Sequence, residues 1–220
     1  MRFAVHHHAI ARILFWMQGG LFACGVFMLG YCGYAVTDAW VFQRRESSAL
    51  DRLLRARSTV SEGTAKEPRT TPLQVALAAS GAGLIGRIEI PRLLLSAVVV
   101  EGSDSGTFRR AVGHVPGTAL PGQPGNVALA GHRDTFFRSL RELRVKDEIQ
   151  LSTPQGDFKY EVESLAVVEP DYVEALAPSS ENMLTLVTCY PFSYIGTAPK
   201  RFIARARQVA PQTVPPTNVE

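Results

Sequence analysis

Residues 185–189, Thr-Leu-Val-Thr-Cys, form a short β-branched run that ends in Cys189. The chain has three cysteines, and the other two lie in the apolar N-terminal segment. A strand that delivers one thiol to a loop holds it rigidly and leaves it accessible, as a nucleophile requires. Because free cysteine is also among the most buried residue types, an inert core thiol stays open at this point.

A thiol nucleophile needs a base, and residues 126–132, Asn-Val-Ala-Leu-Ala-Gly-His, supply one. Here too a short apolar strand ends in one titratable residue, His132. A third strand follows Arg201, whose guanidinium is always charged and can stabilise a developing oxyanion. If the three strands are neighbours in one sheet, Cys189, His132 and Arg201 form a candidate catalytic set.

Two further polar residues are candidates for substrate binding. His114 lies in a Gly- and Pro-rich loop and is the alternative to His132 as the base. Thr188 directly precedes Cys189 and either lines the substrate groove or packs within its strand.

The pattern of alternating apolar residues and turn signals predicts a mainly β domain. The predicted strands lie at 84–90, 93–100, 127–130, 148–151, 158–168, 184–188 and 202–206, with short helices at 136–143 and 171–176. Many short strands with few helices are typical of a closed barrel or a sandwich.

The order of the motifs resembles the sortases, the cysteine transpeptidases of bacterial cell surfaces. The resemblance extends over residues 84–207 and is carried by the Thr-Leu-x-Thr-Cys run, Ala-Gly-His at 130–132, Arg-Phe-Ile at 201–203 and the stretch Gly-Thr-Ala-Leu-Pro-Gly-Gln-Pro-Gly-Asn at 117–126. The compact stretch 117–122 and the loop 193–200 are most similar to class D.

This resemblance implies a closed sortase β-barrel of about eight strands over residues 83–209. It also implies that Cys189 cleaves a Leu-Pro-x-Thr-Gly-like sorting signal between Thr and Gly through a thioacyl intermediate, with His132 moving the proton and Arg201 stabilising the oxyanion. The acyl group then passes to an amine, from a peptidoglycan stem or precursor or from a protein lysine. The implied partners are surface proteins that bear the signal, and we expect no cofactor and no metal.

Residues 13–37 form a run of 25 residues without Asp, Glu, Lys or Arg. As a helix it would be about 37 Å long, enough to span a bilayer with some tilt. We therefore predict a cytoplasmic N-terminus at 1–12, a transmembrane anchor at 13–37, a juxtamembrane stalk and linker at 38–82, and a disordered tail at 210–220. The membrane lipid is thus an expected partner.

The charges that flank the predicted anchor do not agree with the orientation that the resemblance implies. More arginines follow the span than precede it, and counted literally the positive-inside rule places the C-terminal side in the cytoplasm. The resemblance implies the opposite orientation in the cytoplasmic membrane, with the N-terminus on the cytoplasmic side and the catalytic domain on the extracytoplasmic side. We expect the latter, since a domain-sized region translocates largely regardless of nearby charge. The net charge of +3, from 23 basic and 20 acidic side chains, argues against a nucleic-acid partner.

Three other functions remain as alternatives. An L,D-transpeptidase also combines Cys and His in a β-rich fold, but the Ser-His-Gly-Cys type of motif is absent from this sequence. A papain-like peptidase places its Cys before its His, at a helix N-terminus, whereas here His132 comes first. A membrane-anchored β-barrel binding module with a dead site is the third alternative, and the intact set of three residues argues against it.

Overall fold

The computed structural model describes residues 2–61, 83–194 and 196–209. The predicted tail at 210–220 and most of the predicted linker, residues 62–82, lie outside the described residues. The chain divides into two compact units, Met1–Val41 and Phe42–Glu220.

Helix α1 runs from Arg2 to Ser61 and contains a stretch long and apolar enough to cross a membrane. In the first unit its large apolar side chains face outward, and Trp16, Phe22 and Phe27 are each about three-quarters exposed. Such exposure suits a lipid-facing helix, because a water-soluble surface rarely carries a contiguous apolar patch of this size. The helix passes through the boundary predicted at 37/38 without a break, so a large part of the predicted stalk is helical.

Within the described residues, eight strands follow the helix. They are β1 (Leu84–Ile90), β2 (Leu95–Glu101), β3 (Val112–His114), β4 (Asn126–Ala130), β5 (Glu148–Ser152), β6 (Asp157–Val168), β7 (Met183–Tyr190) and β8 (Lys200–Val209). A six-residue helix, α2 (Ser105–Arg110), precedes β3, and single 3₁₀ turns lie at Pro91–Leu93, Arg138–Glu142 and Val173–Leu176. Sequence patterning predicted seven of these strands; β3 and α2 were not predicted.

The strands close into a barrel in the order β1-β2-β3-β4-β7-β8-β6-β5, with β5 pairing back onto β1. The pairs β2–β3 and β4–β7 are parallel, and the other six are antiparallel. The predicted closed barrel of about eight strands is thus confirmed, and the sandwich alternative is wrong.

Alternation along the strands separates a filled interior from an outer face. On β7, Leu184 and Leu186 belong to the core, as do Val127 and Leu129 on β4. On β8 the core residues are Phe202, Ala204 and Ala206. Successive side chains point to opposite faces of a strand, so the residues that alternate with these core positions lie on the outer face. Cys189 on β7 and Arg201 on β8 are at such positions.

A second, smaller apolar cluster joins the end of α1 to the outside of the barrel. Leu50 is fully buried there, and Leu53 lies beside it. Their buried partners from the barrel and the adjoining turn are Leu84, Val98, Val100 and Ala111. Gln43 accepts a hydrogen bond from the Val98 N–H at 3.0 Å, and Asp51 accepts one from Arg87 at 2.9 Å. This part of the helix therefore belongs to the same packed unit as the barrel.

Candidate active site

Cys189 and Arg201 lie directly opposite each other on neighbouring strands. They are paired residues in the antiparallel ladder between β7 and β8, near the end of β7 and the start of β8. Directly opposed residues in an antiparallel pair have Cβ atoms about 4.5–5.5 Å apart, so their side chains can act on one substrate group. Cys189 is partly exposed, as a nucleophile must be.

His132 reaches the same edge of the sheet through the parallel pair β4–β7. Ala130 pairs with Val187, so His132 and Cys189 each follow this pair by two residues. The Gly131 N–H donates to the Val187 carbonyl at 3.2 Å, which extends the pairing one residue beyond β4. Since parallel strands carry their carboxyl ends to one edge, a histidine and a cysteine 57 positions apart in the sequence become neighbours.

The His132 ring is held from the side by α2. The Phe108 ring meets it edge to face, with ring centroids 5.6 Å apart and an interplanar angle of 66°. Helix α2 is itself fixed by Asp104, whose carboxylate accepts hydrogen bonds from the N–H groups of Gly106 and Thr107. Within the described part of the chain neither nitrogen of the His132 ring has a hydrogen-bond partner, so both are available for proton transfer.

The Arg201 guanidinium is held by backbone rather than by a carboxylate. One of its nitrogens, Nη1, donates to the carbonyls of Lys200 at 3.0 Å and Ala198 at 3.3 Å. Among the described residues no acidic side chain forms an ion pair with it. A guanidinium without an anionic partner remains available to stabilise a developing oxyanion.

Thr188 is buried and lies on the opposite face of β7 from Cys189. Its hydroxyl donates to the Gly131 carbonyl at 2.7 Å, the carbonyl that immediately precedes His132. This placement does not support the predicted role of Thr188 in lining the substrate groove. It makes Thr188 a residue that ties the Cys189 strand to the His132 turn.

His114 is also buried, with 2% of its surface exposed. Its Nδ1 lies 2.8 Å from a Glu101 carboxylate oxygen, and its Nε2 lies 3.0 Å from the Ala119 carbonyl and 3.1 Å from the Thr118 hydroxyl. With both nitrogens engaged inside the fold, His114 is not placed as an alternative base, and this position does not support a direct substrate contact. It fastens β3 to the loop at 115–119.

Asn126 fixes the β6–β7 connection, which forms a wall on the outer face of the sheet. Its amide nitrogen donates to the carbonyls of Ala175 at 3.0 Å and Ala177 at 3.2 Å, and its oxygen accepts from the Thr185 hydroxyl at 2.8 Å. The β6–β7 connection is thereby fixed over β4 and β7. Ala130, Val187 and Ile203 pair in one row across β4, β7 and β8, and strand alternation places their apolar side chains on the outer face, as a floor beside Cys189.

Arg133 fixes the β7–β8 connection on the other side of the candidate site. Its guanidinium donates to the Pro191 carbonyl at 3.0 Å and the Gly196 carbonyl at 2.9 Å, and it stacks over the Tyr194 ring. Sequence reasoning missed the roles of Arg133 and Phe108. An arginine adjacent to His132 was a usable signal, whereas no sequence pattern linked Phe108 to this site.

A family model for the sortase domain matches residues 88–209. Sortase D from Bacillus subtilis (strain 168) is 31% identical over 191 residues, which cover 86% of this chain and 96% of that protein. The solved Clostridium perfringens sortase D5 transpeptidase is 26% identical with a TM-score of 0.60, covering 75% of this chain and 98% of that one. Sortase C-1 from Actinomyces oris is 27% identical with a TM-score of 0.55, covering 73% and 99% of the respective chains.

These similarities extend through the whole barrel and confirm the resemblance inferred from the motifs, including its likeness to class D. Because the family model spans more than half of the chain and the Bacillus relative matches along most of its length, the protein belongs to the sortase family of cysteine transpeptidases.

Proposed function

We propose that this sortase cleaves a Leu-Pro-x-Thr-Gly-like sorting signal between Thr and Gly and transfers the acyl part to an amine. The observation that carries the proposal is the pairing of Cys189 with Arg201, together with the parallel register that brings His132 to the same edge. The apolar floor formed by Ala130, Val187 and Ile203 supports binding of a signal that begins with Leu-Pro.

In the first half-reaction, the Cys189 thiol passes its proton to His132 as its sulfur bonds to the threonine carbonyl carbon. Arg201 stabilises the negative oxygen of the tetrahedral intermediate. The bond to the glycine nitrogen then breaks, and His132 donates the proton that this leaving amine takes up. The product is a thioester between Cys189 and the sorted protein.

In the second half-reaction, the nitrogen of an acceptor amine attacks the thioester carbonyl carbon. A carbon–nitrogen bond forms, the carbon–sulfur bond breaks, and the proton released by the amine passes through His132 to the departing Cys189 sulfur. The proposed acceptors are a peptidoglycan stem or precursor and the lysine of a surface protein. Water in place of the amine gives hydrolysis.

A peptide-cleavage assay tests this proposal. The protein spanning 42–220 contains Cys189 as its single cysteine, so a mass increase in the intact protein reports its acyl form directly. We expect cleavage of a fluorogenic Leu-Pro-x-Thr-Gly library at Thr-Gly, faster with an amine present and lost in Cys189→Ala, His132→Ala and Arg201→Ala. Arg144→Ala, at an exposed position outside the site, serves as the matched control and retains activity. Cleavage that persists in Cys189→Ala refutes the mechanism.

We further propose that α1 anchors the enzyme in the cytoplasmic membrane as a single span, with the N-terminus inside and the barrel outside. The exposed apolar surface of its first unit supports the anchor. Labelling of Cys189 in intact cells by a membrane-impermeant maleimide tests the orientation, with Cys189→Ala as the control. Labelling that requires cell lysis places the barrel in the cytoplasm instead.

A further inference from the structure

A cationic cleft of about 910 Å³ opens at the end of the barrel beside the candidate site. Arg133, Arg138 and Arg141 line it, with Asp134 as the acidic residue among its lining side chains. Three positive groups against one negative group give the lining a formal charge of +2. Tyr190 also lines it, so the cleft begins one residue beyond both His132 and Cys189.

The three arginines are not equally available to a ligand. Arg133 already donates to two backbone carbonyls and stacks on Tyr194, so its role is to hold the wall of the cleft. Arg138 is exposed and has no hydrogen-bond or ion-pair partner among the described residues. Arg141 contacts Glu142 through its Nε at 3.2 Å. Its two terminal nitrogens remain available, so Arg138 and Arg141 are both placed to bind an anion.

The cleft and the outer face offer different chemistry to the two substrates of a transpeptidase. The floor beside Cys189 on the outer face is apolar, which suits a Leu-Pro segment. The cleft has aromatic side chains among its lining but carries a net positive charge, and this charge would repel an acceptor that carries only an ammonium group. An acceptor that also carries a carboxylate would instead gain charge-assisted, bidentate hydrogen bonds from a guanidinium.

We propose that this cleft is the acceptor subsite, and that Arg138 and Arg141 select amines that also carry a carboxylate. This inference rests on the proposed transfer of the acyl group to an amine. The same arginines would promote the attack itself, because neighbouring positive charge disfavours the ammonium form and favours the neutral, nucleophilic amine. Since the signal and the acceptor approach from different sides, the acceptor can enter while the acyl group still occupies the outer face.

Two model acceptors that differ in one group test the proposal. Triglycine and triglycinamide carry the same amine, and triglycine alone has a carboxylate. Binding of each to full-length Cys189→Ala protein in detergent is measured by titration calorimetry, without any turnover. We expect triglycine to bind about tenfold more tightly, a preference of the size that hydrogen bonds to charged groups provide. Arg138→Gln and Arg141→Gln should each remove most of it.

The matched control is Arg144→Gln, which removes an equal charge three residues along the chain from Arg141 and outside the cleft. It should keep the preference for triglycine. Equal binding of the two peptides, or the same loss in Arg144→Gln as in Arg138→Gln, overturns the inference.

Turnover separates this inference from the proposed function. In the wild-type enzyme, triglycine should give a higher ratio of aminolysis to hydrolysis than triglycinamide, and Arg138→Gln should abolish that difference. If no peptide acylates the wild-type enzyme, the proposed function fails, and the acceptor role fails with it. If acylation occurs and the ratio of aminolysis to hydrolysis is the same with triglycine and triglycinamide, the acceptor inference alone is refuted.

Discussion

Leu50 provides a direct test of whether the end of α1 is part of the catalytic unit. Its side chain is 0% exposed and packs against the outside of the barrel. Replacing a fully buried leucine by alanine removes its transfer free energy and leaves a cavity, at a cost of about 2–5 kcal/mol. A loss of about 3 kcal/mol raises the unfolding equilibrium constant roughly a hundredfold, since each 1.4 kcal/mol is a factor of ten.

The assay is urea unfolding of the unit Phe42–Glu220, comparing wild type with Leu50→Ala. Leu94→Ala is the matched control, because Leu94 is 94% exposed and exposed substitutions usually change stability by less than about 0.5 kcal/mol. A chain that begins at residue 73 should be destabilised at least as much, because it exposes Val98, Val100 and their neighbours. Equal stability of Leu50→Ala and Leu94→Ala would refute the packing of α1 against the barrel.

Three further predictions concern the turn beside the candidate site and one ion pair. Thr188→Val removes the hydroxyl that donates to the Gly131 carbonyl, so it should lower kcat/KM in the cleavage assay and cost about 1 kcal/mol of stability. Thr188→Ser keeps this hydrogen bond and is the control; equal activity of the two variants would contradict the prediction. Gly131→Ala places a Cβ 3.0 Å from the buried Phe137 ring and should cost about 1–3 kcal/mol through overpacking; an unchanged urea midpoint would contradict it. The hydrogen bonds from Arg92 hold the pKa of Asp147 below its ordinary value. This carboxylate therefore stabilises the fold above about pH 4 and stops doing so as the pH falls through its lowered pKa. The difference in unfolding free energy between wild type and Asp147→Asn should therefore shrink below pH 4. A constant difference from pH 7 to pH 3 would count against the argument.

The barrel was predictable where strands carry a strong alternating or apolar pattern. β6 and β7 are of this kind, and both were predicted to within two residues of their observed ends. β3 has three residues, one of them glycine, and depends on parallel pairing with β2 rather than on local pattern. Leu50 lies within the segment predicted as a stalk, and no local pattern specifies that the barrel surface covers it.

The residues of the candidate site also differ in how far local sequence pattern could predict their positions. Cys189, His132 and Arg201 end or begin predicted strands, so pairing was enough to bring them together. Thr188 alternates with Cys189 along β7, and the period of two already places it on the other face of the strand. The contacts of Arg133 depend on two loops whose paths no local pattern specifies.

Closure of the barrel determines how this enzyme can hold an extended peptide. Each of the eight strands in the described residues has two hydrogen-bonded neighbours, so none offers the unpaired row of N–H and C=O groups that captures peptides by strand addition. Such an edge would bind almost any extended segment, whatever its sequence. Without one, a peptide must be recognised by side chains and loops on the barrel surface. A barrel without a free edge thereby discriminates against extended chains whose side chains do not match its surface.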